Sequence, residues 1–326
     1  MMHATRTWLR ALVLIVVLLG GWELFWRSRG WSPSIEGNEE SWILARSLVG
    51  PSSTVIAGTS RIQAALDPRV WSVATGEKPP IQLAIAATSP VPVLEAMAAD
   101  SSYHGLFVME LLPFYAFEAN LGSERETRKF LDAYERSRVS PAMRWEAFLR
   151  THIPNHLVFR RAKLLPHRIY ASWRAHDLDP PQSFQREDRY HPIAFSDDVL
   201  RRQAVRLADT IRFQGLIGAA QPARGEALDR ILTRIRSSAL RIIARGGRVA
   251  IVHLQACGAR RFAEDRVMPA AMYWARLAAI PGILTIDSDD VPAIARLQCR
   301  DGSHVDARDA PLVTRKLASL IIKQAN

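Results

Sequence analysis

An aspartate and a histidine near the C-terminus, in the stretch LQCRDGSHVDARDAP, have the types and spacing of an acid–base pair. Asp301 precedes His304 by three residues, so its carboxylate can hold one ring nitrogen of the imidazole while the other ring nitrogen takes up a proton. The pair predicts a proton-transfer site that still requires a nucleophile. The alternative is a polar loop in which Asp301 is a turn residue and His304 is structural.

A serine stands where the first strand-like run of the chain ends. The run TVIAG leads directly into TSR, so Ser60 lies at the carboxyl end of a strand and at the first turn of a following helix. Ligands of open parallel sheets bind outside these strand ends. Gly58 permits a sharp turn, and the Ser60 amide can point at an oxyanion. Ser60 is therefore the candidate nucleophile, although a serine in this position alone is more often a helix N-cap.

Five short apolar or β-branched runs, each entered through Gly, Pro or Ser, have the pattern of buried parallel strands. Helical patterns lie between them, which indicates βα units with right-handed crossovers. The sequence therefore predicts an α/β fold with a doubly wound parallel sheet of about five strands. The runs are SSTVIAGTS, PPIQLAIAAT, HGLFVMELL, GGRVAIVHLQ and PGILTIDS.

The connection between the third and fourth runs, from about Glu118 to Arg245, is too long for a simple crossover. Its helical patterns are SERETRKFLDAYERSR, VSPAMRWEAFLRTHI and DDVLRRQAVRLADTIRF, so it is predicted to be a helical insertion. Within it, residues 150–175 contain no acid. This stretch indicates either a solvated helical face or a contact with anionic lipid headgroups. Its cations are Arg150, Arg160, Arg161, Lys163, Arg168 and Arg174, interleaved with Phe159, Tyr170 and Trp173.

The N-terminus has the features of a membrane anchor. Arg6 and Arg10 precede the apolar run ALVLIVVLLGGWELFW, and Trp8 and Trp26 bracket it as interfacial residues do. No small-x-small cleavage site follows, so an uncleaved anchor over residues 1–30 is favoured over a removed signal. A buried core helix is the alternative. The anchor predicts a single-pass inner-membrane protein whose remaining domain, residues 31–326, is extracytoplasmic.

The formal net charge of +11 predicts attraction to anionic partners of the envelope, namely lipid headgroups and acidic glycans. Nucleic acid is not expected, because the anchor places this surface in the wrong compartment. No cofactor is expected. His253 and Cys257 in HLQACG are a weak metal signal, since two ligands without partners at zinc spacing do not make a site.

The chain has two cysteines, and each follows a predicted strand. Cys257 follows the fourth strand and Cys299 follows the fifth, so both should reach the same edge of the sheet. We expect a Cys257–Cys299 disulfide in an oxidising compartment, where it would tether the loop that carries Asp301 and His304. Two buried free thiols are the alternative.

The pairing of GTS after the first strand with DGSH before the last helix resembles the SGNH/GDSL hydrolase superfamily, over about residues 50–112 and 246–322. The likeness is greatest to membrane-anchored members associated with cell-surface polysaccharide acylation. It implies a flavodoxin-like sheet, a Ser60 nucleophile with Asp301 and His304, and oxyanion binding by the amides of Ser60 and Ala87. The implied function is a serine esterase or O-acyltransferase acting on a cell-envelope glycan or lipid.

The chain also departs from that family's pattern. Arg61 follows the serine, where it could bind a carboxylate or phosphate of a substrate. Ala87 stands where the family usually has Gly. After the third strand the family expects Gly-x-Asn-Asp, but the chain has MELLPFYAF, so the side-chain oxyanion donor is missing. Glu110 would replace it only if protonated. The alternative function is therefore a non-catalytic module that binds glycan or a membrane acyltransferase partner.

Overall fold

The computed structural model describes residues 2–35, 39–174, 178, 180–181, 183–195, 221–254 and 256–323. The third helical pattern of the predicted insertion, residues 197–213, lies outside the described residues. The described helices are α1 Met2–Ser28, α2 Glu39–Ser47, α3 Ser60–Ala65, α4 Pro68–Thr75, α5 Val91–Ala99, α6 Pro113–Ala116, α7 Gly122–Val139, α8 Pro141–His156, α9 Pro166–Arg174, α10 Glu226–Ala244, α11 Gly258–Val267, α12 Trp274–Ala278, α13 Pro292–Ala295 and α14 Ala310–Lys323.

Each of the five apolar runs contains a strand, and all pairings between strands are parallel, in the order β2-β1-β3-β4-β5. The prediction of an α/β fold with a five-stranded parallel sheet is confirmed. Because the sheet is covered on both faces, its strands are apolar on both sides rather than alternating with polar residues. The strands are β1 Val55–Ala57, β2 Ile81–Gln82, β3 Leu106–Glu110, β4 Arg248–His253 and β5 Ile283–Asp287.

Side chains of successive strand residues enter two separate hydrophobic clusters, one on each face of the sheet. In β3, Phe107 and Met109 belong to the first cluster, whereas Leu106 and Val108 belong to the second. Helices α2, α5, α10 and α12 cover the first face, and α3, α4, α13 and α14 cover the second. Helix α3, which begins at Ser60, and the last helix α14 therefore share one face.

The connection between β3 and β4 contains α7, α8 and α9, in agreement with the first two helical patterns of the predicted insertion. Its last helix, α10, is different. Buried residues of α10, such as Leu228, Ile235 and Ile242, belong to the same cluster as the sheet. The predicted insertion boundary at about residue 245 therefore extends too far, because α10 is the crossover helix of the α/β core.

One helix in the described part of the chain, Thr5–Ser28, is long and apolar enough to cross a membrane, and a signal sequence has the same properties. None of its most apolar window is buried, so the alternative of a buried core helix is wrong. Its C-terminal end packs on the rest of the described protein, where Trp26 and Trp31 form a cluster with Val158 and Leu164.

Candidate active site

The structure brings Ser60, His304 and Asp301 together at the carboxyl edge of the sheet. Ser60 Oγ lies 2.9 Å from His304 Nε2. The helix N-cap is Thr59, whose side chain accepts a hydrogen bond from the Arg61 amide at 3.2 Å. Ser60 is instead the first residue of α3, so its hydroxyl is directed to the imidazole rather than used for capping.

Asp301 fixes the orientation of the histidine ring. Its Oδ2 lies 2.6 Å from His304 Nδ1, and its Oδ1 accepts hydrogen bonds of 2.8 Å from the amides of Ser303 and His304. Burial raises the pKa of Asp301, but these hydrogen bonds and the charge of His304 outweigh it and leave the pKa lowered. An ionised Asp301 holds the ring proton on Nδ1, which leaves Nε2 to accept the proton of Ser60.

A disulfide ties down the same loop. Cys257 and Cys299 are bonded, with their Cα atoms 5.5 Å apart. The Cys257 amide donates to the Gly302 carbonyl at 3.0 Å, and the Gly302 amide donates to the Cys299 carbonyl at 2.8 Å. The disulfide thus joins the end of β4 to the turn that carries Asp301.

The structure does not support the prediction that Arg61 binds a carboxylate or phosphate of a substrate. Its side chain is 2% exposed, and its guanidinium donates to Ser303 Oγ at 3.2 Å and to the Leu254 carbonyl at 3.0 Å. The remaining end pairs with Glu264. Arg61 therefore fastens the DGSH loop to α11 and is not presented to a substrate.

The predicted oxyanion donors are the backbone amides of Ser60 and Ala87. The Ile85 amide donates to the Gly58 carbonyl at 3.0 Å, which aligns the chain after β2 with the chain after β1. Ala87 follows two residues later with a φ of 57°, a left-handed conformation that favours glycine. Within the described ranges, the amides of Ser60 and Ala87 donate no hydrogen bond.

No side-chain amide follows β3, where the chain continues with the buried residues Leu111 and Leu112. Glu110 ends the strand and is fully buried, and its Oε2 accepts the Thr59 amide at 2.7 Å. Burial raises the pKa of Glu110, against the opposing effects of the Arg61 charge and the Thr59 hydrogen bonds. Its Oε1 has no partner among the described residues. Glu110 thus supports the loop beneath the nucleophile.

A glycine is required at position 58, where Glu110 packs against the loop that leads to Ser60. It has a φ of 154°, and a Cβ built on it would lie 2.7 Å from Glu110 Cβ and 2.7 Å from Ile62 Cγ2. Any larger residue would displace the loop that carries Thr59 and Ser60.

A further contributor to the site, residues 185–195, carries no recognisable sequence pattern, and we call it the closing segment. Arg189 in this segment is 3% exposed and donates to the carbonyls of Gln82 at 3.1 Å and Ala84 at 2.9 Å. Burial lowers the pKa of Arg189 to about 9. Gln63 Nε2, on the nucleophile helix, donates to the Arg189 carbonyl at 3.1 Å. Arg189 therefore links α3 to the chain that leads to Ala87.

The closing segment also reaches the histidine loop. The His191 amide donates to the Gln63 carbonyl at 3.0 Å, and the Ala307 amide donates to the Ile193 carbonyl at 2.8 Å. Burial lowers the pKa of His191 to about 4, helped by the charge of His304. His191, a residue of the insertion, is therefore neutral, and it lies close enough to His304 for the His304 charge to affect its pKa.

His253 and Cys257, the two possible metal ligands in the sequence, have other partners in the structure. His253 Nδ1 lies 3.1 Å from Asp287 Oδ2 across the ends of β4 and β5, and Cys257 is in the disulfide. In the part of the chain that the structure describes, no group of three or more His, Cys, Asp or Glu side chains is placed to hold a metal ion.

Fold and site together define an α/β chain with a Ser–His–Asp arrangement at the carboxyl edge of a parallel sheet. No protein-family model matches the chain, and no curated protein matches its sequence. The function of the site is therefore inferred from its own geometry.

Proposed function

We propose that the protein is an SGNH-like serine esterase or O-acyltransferase. The observation that carries this proposal is the hydrogen-bonded series of Ser60 Oγ, His304 Nε2, His304 Nδ1 and Asp301 Oδ2, at 2.9 Å and 2.6 Å. The strand order β2-β1-β3-β4-β5 supports a flavodoxin-like topology, with the site at the strand ends where that topology binds ligands.

In the proposed reaction, His304 Nε2 takes the proton of Ser60 as Oγ bonds to the carbonyl carbon of an acyl ester. The amides of Ser60 and Ala87 donate to the oxyanion that forms. The intermediate collapses, the bond to the leaving alkoxide breaks, and His304 returns the proton to that oxygen. Water or a sugar hydroxyl then attacks the acyl-serine through the same histidine, which completes hydrolysis or transfer.

The cellular setting is the second part of the proposal. α1 would span the inner membrane, with the domain on the extracytoplasmic side, where the Cys257–Cys299 disulfide is stable. The net charge of +11 suits an anionic envelope surface. The substrate would be an acylated cell-envelope glycan or lipid, and a membrane acyltransferase would be a fitting partner.

A second candidate is a non-catalytic module of the same fold that binds glycan or a membrane acyltransferase. The observation that favours it is the chain after β3, where Leu111 and Leu112 replace a side-chain oxyanion donor. Loss of one such donor costs about 10²–10³ in rate where it has been measured.

The test is ester turnover by the full-length protein in detergent, with p-nitrophenyl acetate as substrate. We expect wild-type turnover to fall by about 10³-fold or more in Ser60→Ala, because the nucleophile is lost. Ser237→Ala, at an exposed serine of α10, is the matched control and should keep full activity. Turnover that survives Ser60→Ala would exclude Ser60 as the nucleophile, and an inactive wild type would favour the binding module.

A further inference from the structure

Helix α8 exposes an apolar stripe instead of a polar face. Trp145, Phe148, Leu149 and Ile153 follow helical spacing, and each of them is between 42% and 65% exposed. The buried side of α8 is a different stripe, formed by Ala147 and Thr151. Among the described residues, α8 therefore packs through its other stripe, and a contiguous exposed apolar surface of this kind marks an interaction site.

Helix α9 also exposes aromatic side chains, Tyr170 and Trp173, which are 64% and 63% exposed, and whose rings lie 6.0 Å apart. Outside α1, Trp145 and Trp173 are the two tryptophans that the structure describes as exposed. Tryptophan and tyrosine are the residues that prefer the boundary between lipid headgroups and acyl chains.

The chain between α8 and α9 is fixed to the C-terminal end of α1. The Glu23 carboxylate accepts hydrogen bonds from the amides of Val158 at 2.9 Å and Phe159 at 3.0 Å. Arg27 donates to the His156 carbonyl at 2.8 Å. Glu23 and Arg27 lie where the apolar run of α1 ends, and Ile169 of α9 packs against the nearby Trp26 cluster. The C-terminal end of α8 and the start of α9 therefore lie near the level where a membrane-spanning α1 would leave the bilayer.

Exposed arginines, the residues that bind anionic headgroups, lie on this part of the chain together with one exposed carboxylate of α8, Glu146. Arg160, Arg168 and Arg174 are exposed. Two cations of the predicted basic stretch are engaged elsewhere, since Arg150 pairs with Glu40 and Glu146, and Arg161 lies over the ring of Trp31. Of the predicted basic stretch, Arg160, Arg168 and Arg174 are thus the cations proposed to contact lipid, on the same stretch of chain as the exposed aromatic rings.

We propose that the α8–α9 surface, formed by the exposed residues between Trp145 and Arg174, lies on the phospholipid leaflet from which α1 emerges. Its aromatic side chains enter the headgroup boundary, and its arginines bind lipid phosphates. The proposal rests on the membrane-spanning part of the proposed function and is independent of the ester chemistry. The closing segment follows α9 along the chain, so the leaflet and the catalytic edge are joined through one insertion.

The experiment uses the native disulfide, which leaves a single added cysteine as the reactive thiol. The full-length protein is labelled with an NBD fluorophore at Trp173→Cys and reconstituted into vesicles of phosphatidylcholine and phosphatidylglycerol. Some of the lipids carry a nitroxide near the headgroup. Val16→Cys, at the centre of α1, reports insertion of the anchor, and Val73→Cys, 88% exposed on α4, is the control for a surface away from lipid.

We expect nitroxide lipid to remove about half or more of the Trp173→Cys fluorescence, and aqueous iodide to quench only the Val73→Cys label. Changing Arg160, Arg168 and Arg174 to Gln should reduce the part of this quenching that depends on phosphatidylglycerol. A quenched Val16→Cys label beside an unquenched, iodide-accessible Trp173→Cys label would overturn the proposed surface and leave the anchor intact. If neither label is quenched by lipid, both the anchor and the surface are wrong. Ester turnover, measured on the same vesicles, tests the chemistry separately.

Discussion

The two sides of the candidate site are built very differently. On the proton-transfer side, Ser60, His304 and Asp301 lie at hydrogen-bonding distance, and their loop is held by Arg61 and a disulfide. On the side proposed to bind the oxyanion, the candidate donors are main-chain amides, and one of them belongs to an alanine in a left-handed conformation.

The difference shows which parts of the site depend on the α/β core and which depend on the insertion. The histidine loop is fastened by residues that follow β1, β4 and β5. The loop that carries Ala87 is fastened by Arg189, more than a hundred residues away in sequence. The proton-transfer side is thus held mainly by the core, with added hydrogen bonds from the insertion at Gln63 and Ala307, whereas the chain that leads to Ala87 is held by Arg189 of the insertion.

The largest effect is expected on the proton-transfer side. His304→Ala should lower kcat/KM for p-nitrophenyl acetate by about 10³-fold or more, as should Ser60→Ala. The double variant should lose little more than either single variant, because the two residues act as one unit. Asp301→Asn should be less severe. Losses in the single variants that multiply in the double variant would show that the two residues act independently.

Removing the disulfide should weaken the fold of the whole domain. Cys257→Ser with Cys299→Ser opens a loop of sequence separation 42, which corresponds to about 4 kcal/mol of unfolding free energy in the chain-entropy treatment. Urea denaturation of the wild type and the double variant measures this loss. Equal unfolding midpoints would show that the DGSH loop does not depend on its covalent tether.

Replacing Arg189, which lies in the closing segment, should have the next largest effect on stability. Arg189→Met leaves the carbonyls of Gln82 and Ala84 without their donors, so the unfolding free energy should fall by about 2 kcal/mol or more. Ester turnover should fall with it, because the Ala87 loop is released. The matched control is Arg69→Met, a cation with a 71% exposed side chain 3.6 Å from Asp188, where we expect a change under about 1 kcal/mol. Similar losses in both variants would remove the special role of Arg189.

The smallest effect concerns pH and Glu110. Its pKa is raised above the ordinary value of 4.5, so the folded protein holds this proton more tightly than the unfolded chain does. The wild type therefore loses stability as the pH rises through the folded pKa, while Glu110→Gln has no such proton to lose. The Tm of Glu110→Gln relative to wild type should rise as the pH is raised above the ordinary carboxyl pKa of 4.5. A constant difference in Tm would show that Glu110 ionises as it does in the unfolded chain.

The sheet and the positions of Ser60, Asp301 and His304 follow from local sequence signals. Each strand is an apolar run between turn residues, and parallel strands bring their carboxyl ends to one edge. The role predicted for Arg61 was wrong because neighbouring residues of a helix point in different directions. Successive helical residues project about 100° apart, so Arg61 points into the core while Ser60 points to His304.

Arg189 and His191 were missed for another reason. They lie in an irregular segment with no helical or strand period, and they are held by hydrogen bonds to residues distant in sequence, such as Gln63 and Ala84. No local pattern carries that information. The end of the insertion was also misplaced, because α10 has the same amphipathic period whether it covers the sheet or another helix.

The most direct test of the central claim, that Ser60 is a nucleophile activated by His304, is covalent labelling by a fluorophosphonate probe followed by peptide mass mapping. We expect one adduct on the wild-type protein, located on Ser60, and its loss in both Ser60→Ala and His304→Ala. Ser237→Ala should label like the wild type. An adduct on another residue, or labelling that persists in Ser60→Ala, would contradict the assignment of Ser60 as the nucleophile.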